Sequence, residues 1–569
     1  MHPVRISLIF LLIVGAAAVI VSRLFFLQVT KHDFYSALAR GQQQVFEDIP
    51  PERGDIYLMD KKSVPVPLAV NRDYPYVYAV PKDIEDVEAV AQTLADILGS
   101  PKDEIYVKIS KQDDPFERIA DRLSDEQAQR IREANMKGVS LRTERLRYYP
   151  YGETACHVSG FLGQSEDGLV GRYGLEDFYE ENLRGVPGKI SGEKDARGTI
   201  LKSFGELEDA ARPGDDLYLT IDPNVQSVVE DALKAGVEKW GADGGSIIVT
   251  DPVTGAIRAM ASWPRFDLNN YSKVEDANVY ANPVVSHVFE PGSVFKPITI
   301  AAGIDTKAIT PLSTYENTGS VQIGSYTITN VVQEAKGTRT MTEVLEESLN
   351  TGVIHVEEKM GGENLTKYIK SFGFQEKTGV DLFGETVGNI ANLEEKRPIN
   401  YATASFGQGI SVTPLAMVNA IGVIANGGNL MRPYVVQTVQ KPDGEEVRTE
   451  PKVIRRVISQ KTATDVSAMM VAVVRNGTGK RAQIPGYTIA GKTGTAEVPN
   501  PDRPGYSDKD IHSFAGFFPA FNPKALIFVK LDDPKGVRYA EGSVVPMFKD
   551  IAQYLITYYS IAPDIDGTK

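Results

Sequence analysis

The sequence predicts an α+β protein carried behind a single N-terminal transmembrane helix, on three observations. An uncharged apolar run, Ile6 to Ser22, stands near the amino terminus. Helix-period stretches at Ile84–Leu98 and Glu117–Ala134 repeat apolar residues at three and four positions, so each has one face to bury. Strand-like runs complete the set: DLYLTI from Asp216, the hairpin-like SIIVTDPVTGAIRAMAS from Ser246 to Ser262, and the late YTIAGKTGTAEV and ALIFVKL.

The apolar run continues past a lone Arg23 through LFFLQV, Leu24 to Val29. About 24 helical residues reach roughly 36 Å, enough for a hydrocarbon core of about 30 Å, and Arg23 can snorkel to the interface. Ala16 to Ala18 lie mid-run and are followed by Val19, Ile20 and Val21, so the pattern reads as an uncleaved anchor and not as a signal peptide. Arg5 precedes the span while Arg23 and Lys31 follow it, so charge alone leans only weakly toward either orientation.

From Lys31 to Arg212 the composition is mixed, and Gly and Pro punctuate GRYGLEDFYEENLRGVPG (Gly171 to Gly188). Arg212-Pro213-Gly214 ahead of a strand marks a boundary. SVVPMFKDIAQYLITYYS, Ser543 to Ser560, reads as a closing helix packed on the late strands. The expected divisions are a cytoplasmic tail and anchor at 1–30, a second region at 31–212, a large domain at 213–562 and a tail at 563–569.

Composition narrows the function classes. Sixty-one Lys and Arg stand against 75 Asp and Glu, a net charge of −14, which lacks the cationic excess that nucleic-acid binding needs. Hydrophobic residues at 42% and charged residues at 24% exclude wholesale disorder. The single Cys156 can form no intrachain disulfide and no multi-cysteine zinc site. There is no GxSxG elbow, and no HExxH among the six histidines.

Several short matches fail on context. GYTIAGKT, Gly486 to Thr493, spells a phosphate-binding loop, but RAQIP precedes it and GTAEVPNPDRPG follows it, where a strand and a helix are required. Gly477, Gly479 and Ala482 spell a loose dinucleotide pattern that Pro485 would interrupt. The RGD at Arg53 to Asp55 is a chance-level tripeptide.

An ordered set carries more: Ser293 and Lys296 in PGSVFKP, Ser348 and Asn350 in SLN, and Lys492, Thr493, Gly494 and Thr495 in KTGT. A second SxxK at Ser191–Lys194 lies in a polar loop, and a second KTG at Lys377–Gly379 lies in a turn-like region, whereas SLN is the only SxN in the chain. Residues at i and i+3 share a helix face, so Lys296 can reach Ser293 and accept its proton. A serine in the first turn also feels the helix amides, which favour developing negative charge. Lysine must be neutral to act as a base, and burial together with a second cation such as Lys492 lowers its pKa. Ser348 and Asn350 suit proton relay and an amide contact, and Lys492, Thr493 and Thr495 can offer a cation and hydroxyls to a substrate carboxylate.

At these residues the chain resembles the class B penicillin-binding proteins, membrane-anchored D,D-transpeptidases that cross-link peptidoglycan. The likeness extends to PPERGDIY (Pro50 to Tyr57), RYYPYGETACHVSGFLG (Arg147 to Gly163), GLEDFYEENLRGVPG (Gly174 to Gly188), DLYLTIDPNVQ (Asp216 to Gln226) and YATASFGQGISVTPLAMVNAIGVIANGG (Tyr401 to Gly428). It implies an elongated α/β pedestal (dimerisation-like) domain after the anchor, then a penicillin-binding transpeptidase fold, an antiparallel sheet flanked by helices. It implies Ser293 as the acylated nucleophile, Lys296 as general base, Ser348 and Asn350 as the second motif, and Lys492 to Thr495 as the third. Leu349 takes the place of the aspartate found in the SDN form. The backbone amides of Ser293 and Thr495 would form the oxyanion hole. The implied substrate is a stem peptide ending in D-Ala-D-Ala, with β-lactams as inhibitors and neither cofactor nor metal. A SEDS-type, FtsW-like glycosyltransferase and divisome membrane proteins are the implied partners, with the catalytic domain outside the cytoplasmic membrane. The division-specific branch is favoured over the elongation-specific one on overall resemblance. A carboxypeptidase or β-lactamase-type hydrolase and a β-lactam sensor or scaffold remain as alternatives from other classes.

Overall fold

The computed structural model describes residues 3–32, 44–111, 114–166, 168–193, 206–331, 336–500, 503 and 505–565. Lys194 of the second SxxK and residues 566–569 of the expected tail lie outside these. Two compact units emerge. One comprises Met1–Arg53 with Arg184–Gly214, the other Gly54–Leu183 with Asp215–Lys569.

In the first unit the apolar run forms one helix, Pro3–Phe25, extended by a single π turn, Phe26–Thr30. The stretch Leu8–Thr30 is long and apolar enough to cross a membrane, and none of it is buried. A three-stranded antiparallel sheet follows, with Gly188–Glu193 in the middle between Gln44–Ile49 and Glu206–Asp209.

The second unit is α+β with two large sheets. A seven-stranded sheet pairs Asp216–Leu219 in parallel with Ile56–Met59, so it takes strands from either side of residue 212. Its long strand Pro65–Ala79 pairs with both Glu117–Ala120 and Val139–Tyr148. The helix expected over Glu117–Ala134 is therefore only half helix. Glu117–Ala120 is strand, and the helix begins at Asp125, where Ser124 accepts from Gln127 N–H and the Gln127 side chain returns the bond. That capping box sits inside the periodic stretch and sets the start that periodicity alone misplaces. Similarly, the helix expected from Ile84 starts at Val87, because the Asp86 carboxylate accepts from Ala89 N–H.

The other sheet is antiparallel, in the order Ile257–Trp263, Gly244–Thr250, Ala525–Asp532, Tyr506–Phe518, Ala490–Pro499. The hairpin expected at Ser246–Ser262 is present, with Ser246 opposite Ser262. Its central strands are apolar on both faces because both faces are covered. Ile247, Val249, Phe514, Ile527 and Val529 join one core with Val229, Leu233 and Phe548 from helices Pro223–Trp240 and Val544–Tyr558. Ile248, Ala515, Phe517, Leu526 and Phe528 join a second core with Ile298, Met417 and Val466 from helices Lys296–Asp305, Pro414–Ala425 and Gln460–Asn476. The period-2 side-chain alternation thus divides one sheet between two cores. The strand bearing KTGT is left at the sheet's edge.

Phe548 is fully buried, edge-on to Phe514 with ring centroids 4.7 Å apart. Phe548→Ala should destabilise this unit by about 3–5 kcal/mol through lost burial and the cavity it leaves, lowering the thermal unfolding midpoint. An unchanged midpoint would show that the closing helix does not hold this face of the sheet.

Candidate active site

Ser293 lies in a 3-10 turn, Gly292–Phe295, and the α-helix Lys296–Asp305 follows directly. Ser293 thus stands one turn ahead of the α-helix and not within its first turn, as the spacing implied. Pro297 is accommodated because the opening of a helix needs no N–H donor there. Two contacts fix the turn. Gly292 N–H donates to Gly407 O at 3.0 Å. On the edge strand Ala490–Pro499, a Cβ at Gly494 would fall 3.2 Å from Pro291 O and 2.3 Å from Ser513 Oγ, so the glycine eases the close approach of turn and strand.

The two motif lysines converge on Ser348. Lys296 Nζ donates to Ser348 O at 2.6 Å and lies 3.2 Å from Ser348 Oγ. Lys492 Nζ reaches the same Oγ at 2.9 Å, and Thr493 O and Oγ1 at 3.0 and 3.3 Å. Both lysines are 0% exposed. Burial and then the charge of Lys492 hold Lys296 well below the usual lysine range, and burial brings Lys492 down to about 7. The hydrogen bonds of Lys296 go to Ser348 and not to Ser293, so the direct serine–lysine pair suggested by i,i+3 spacing is a three-residue cluster. Ser348 occupies the bend between helices Met341–Glu346 and Asn350–Met360 with φ of 57°, a left-handed conformation that is strained for a serine.

Asn350 opens its helix, and its Nδ2 donates to Thr329 O at 3.0 Å, at the end of the hairpin Ser320–Thr329. Its neighbour Thr351 donates its N–H to Asn330 Oδ1 at 3.0 Å, while Asn330 Nδ2 donates to Asn317 Oδ1 at 3.0 Å. This buried polar network ties the second motif to the hairpin, and short-motif reading had no signal for it. Thr493 is buried and pairs with Phe514, and Thr495 is partly exposed opposite His512. Lys492 lies too deep to be offered to solvent, which leaves Thr495 as the partly exposed hydroxyl of the motif.

Thr478 was also missed. Its Oγ1 lies 2.8 Å from Thr493 Oγ1, and its N–H donates to Glu346 O at 3.2 Å. The glycines around it are those of the loose dinucleotide pattern, and they serve close packing. A Cβ on Gly477 would fall 2.3 Å from Glu346 O. In the phosphate-loop lookalike, Lys492 and Thr493 sit on a strand, where no helix amides face a phosphate. The second KTG is a loop in which Thr378 N and Oγ1 bond Glu385. Cys156 is buried, and burial pushes its thiol up to about 12, so it is no nucleophile.

Comparison with known proteins follows the same lines. Residues 245–553 match the penicillin binding protein transpeptidase domain, and residues 48–219 match the penicillin-binding protein dimerisation domain. The chain is 33% identical to stage V sporulation protein D of Bacillus subtilis, over 95% of this chain and 84% of that one. It is 30% identical to the peptidoglycan D,D-transpeptidase FtsI of Escherichia coli, over 99% and 94% respectively. The crystal structure of penicillin-binding protein 3 from Mycobacterium tuberculosis in complex with aztreonam superposes with a TM-score of 0.70 at 27% identity, covering 91% of this chain and 98% of that one.

Gly477→Ala tests the approach that brings Thr478 to Thr493. The new methyl meets backbone, which cannot swing aside, so a loss of about 1–3 kcal/mol in stability is expected, read as a lower unfolding temperature. Full retention of stability would mean that the loop relaxes freely and does not fix Thr478.

Proposed function

This chain belongs to the class B penicillin-binding proteins, serine-type D,D-transpeptidases of peptidoglycan, and on that premise we propose that it cross-links the septal wall through an acyl-enzyme on Ser293. The observation that carries the reading is the convergence of buried Lys296 and Lys492 on Ser348 beside the serine turn. A protonated Lys492 has three N–H donors, and three acceptors surround it. A neutral Lys296 has two N–H donors, matched by Ser348 O and Oγ, and its lone pair is left for the Ser293 proton.

In this reading Ser293 Oγ attacks the penultimate D-Ala carbonyl as its proton passes to Lys296. The amides of Ser293 and Thr495 stabilise the oxyanion. The C–N bond breaks, and the departing D-Ala amine takes a proton delivered from Lys296 by way of Ser348. An acceptor amine from a neighbouring strand then attacks the ester, and its proton returns to Ser293 by the same route. Asn350 contacts the substrate amide, and Thr493 and Thr495 bind its terminal carboxylate. β-Lactams enter as acylating inhibitors at the same serine.

The catalytic unit works outside the cytoplasmic membrane, where peptidoglycan lies, tethered by Leu8–Thr30. Residues 31–212 serve as the pedestal and 213–562 as the transpeptidase domain, meeting an FtsW-like SEDS glycosyltransferase and divisome proteins. The FtsI relative supports the division role. The relative named for stage V of sporulation supports a second reading, cross-linking confined to spore formation. Depletion separates them: filaments without septa are expected for division, and normal septa with defective spores for the second reading.

Incubation with a penicillin, followed by intact-mass measurement, should give one stable adduct on the wild type and none on Ser293→Ala. An adduct persisting on the variant would sink the nucleophile assignment, and rapid loss of the wild-type adduct would identify a hydrolase. The acylation rate should fall at acid pH as Lys296 gains a proton. In Lys492→Met the neighbouring positive charge is gone, protonated Lys296 is less disfavoured, its pKa rises, and the acid limb should move to higher pH. A limb that stays in place belongs to another group.

A further inference from the structure

Opposite Thr495 across the edge of the catalytic sheet stands His512, and residues paired in this way share a face of the sheet. His512 is fully buried, and its Nδ1 lies 2.7 Å from Ser543 Oγ. Ser543 Oγ donates in turn toward Ala540 O at 3.5 Å, and Ser543 N–H bonds the same carbonyl at 3.2 Å. Ala540 N–H donates to Thr495 Oγ1 at 3.2 Å. Between these bonds lies one short 3-10 turn, Ala540–Gly542, whose first residue is buried.

The bonds form one continuous chain from the ring to Thr495. Besides Ser543, the backbone of Arg538 offers the ring a hydrogen-bond acceptor. The Nδ1–Ser543 Oγ bond joins the ring to the turn whichever of the two supplies the proton. Ser543 N–H holds Ala540 O, and Ala540 N–H is given to Thr495 Oγ1. Thr495, with an acceptor site filled from inside the protein, keeps its own proton for a group arriving from outside. Burial lowers His512 to about 4, so the imidazole stays neutral over the working pH range.

We propose that His512 and Ser543 are positioning residues that clamp the Ala540–Gly542 turn onto Thr495 and so aim the Thr495 hydroxyl proton at the substrate carboxylate. The inference rests on the reading of Thr495 as a carboxylate-binding residue given above. Neither His512 nor Ser543 touches substrate. They act through the turn, so their removal weakens recognition of the carboxylate while the serine chemistry persists.

The test compares acylation by benzylpenicillin with acylation by its methyl ester, which lacks the carboxylate, using intact mass as the readout. The ratio of the two rates reports the carboxylate contact alone, and general structural damage lowers both rates together. His512→Leu should reduce the ratio about tenfold, the scale of a misdirected hydrogen bond to a charged group. His512→Asn, whose amide can pair with Ser543 Oγ from near the Nδ1 position as donor or acceptor, should recover most of it. Ser543→Ala should match the leucine variant with the ring intact, and it carries the test if His512→Leu does not fold. Thr495→Val is the control. If it lowers the ratio while His512→Leu and Ser543→Ala leave it at the wild-type value, the positioning role is overturned. If Thr495→Val itself leaves the ratio unchanged, the carboxylate reading of Thr495 fails, and the relay fails with it.

Discussion

Two lysine side chains held in one dry site around a single hydroxyl form the constraint on which the rest of this protein depends. Charged lysine belongs in water, and burial of two beside each other is tolerated only because proton affinity falls and every remaining N–H finds an acceptor. Ser348 supplies an acceptor to both Lys296 and Lys492, and Thr493 completes the set for Lys492. The strained φ of Ser348 is the local cost of placing that oxygen between two lysines from elements far apart in the chain.

The architecture supplies what this cluster needs. A five-stranded sheet buried on both faces gives a stiff platform, and its edge strand carries Lys492 on the side against which the serine turn packs. Helices Met341–Glu346 and Asn350–Met360 bring Ser348 in from the flank. The helix Gln460–Asn476 ends at Gly477 and delivers Thr478 to Thr493. Three separate segments therefore meet at one hydroxyl, and each meeting point is made by glycine, by a left-handed residue or by a buried polar network.

Much of this was legible in the sequence, for identifiable reasons. The N-terminal helix follows from a long apolar run, and the Ser246–Ser262 hairpin follows from its turn residues and flanking β-formers. The site motifs were legible because their chemistry tolerates few residue types, and the decoys fell because a phosphate loop needs a helix that Gly and Pro would break. The stretch Glu117–Ala134 was misread because its apolar spacing fits a helix throughout, whereas pairing with Pro65–Ala79 claims its first four residues for a sheet. That pairing is tertiary, and no local pattern announces it. The glycine pattern at Gly477 and Gly479 was set aside as noise for the same reason, since its use is an approach to Glu346 some 130 positions earlier.

The sequence by itself determined which groups could do the chemistry: a serine three residues before a lysine, one SxN and a KTGT, arranged behind an apolar anchor. These are local matters of residue type and spacing. Only the tertiary structure decided how the groups are used. It sent Lys296 to Ser348 and not to Ser293, buried Lys492 beneath the hydroxyls it was expected to accompany, and placed His512 opposite Thr495. The physical reason is that spacing fixes where a side chain begins, whereas its hydrogen bonds and its proton affinity depend on neighbours brought by distant parts of the chain and on how completely they exclude water.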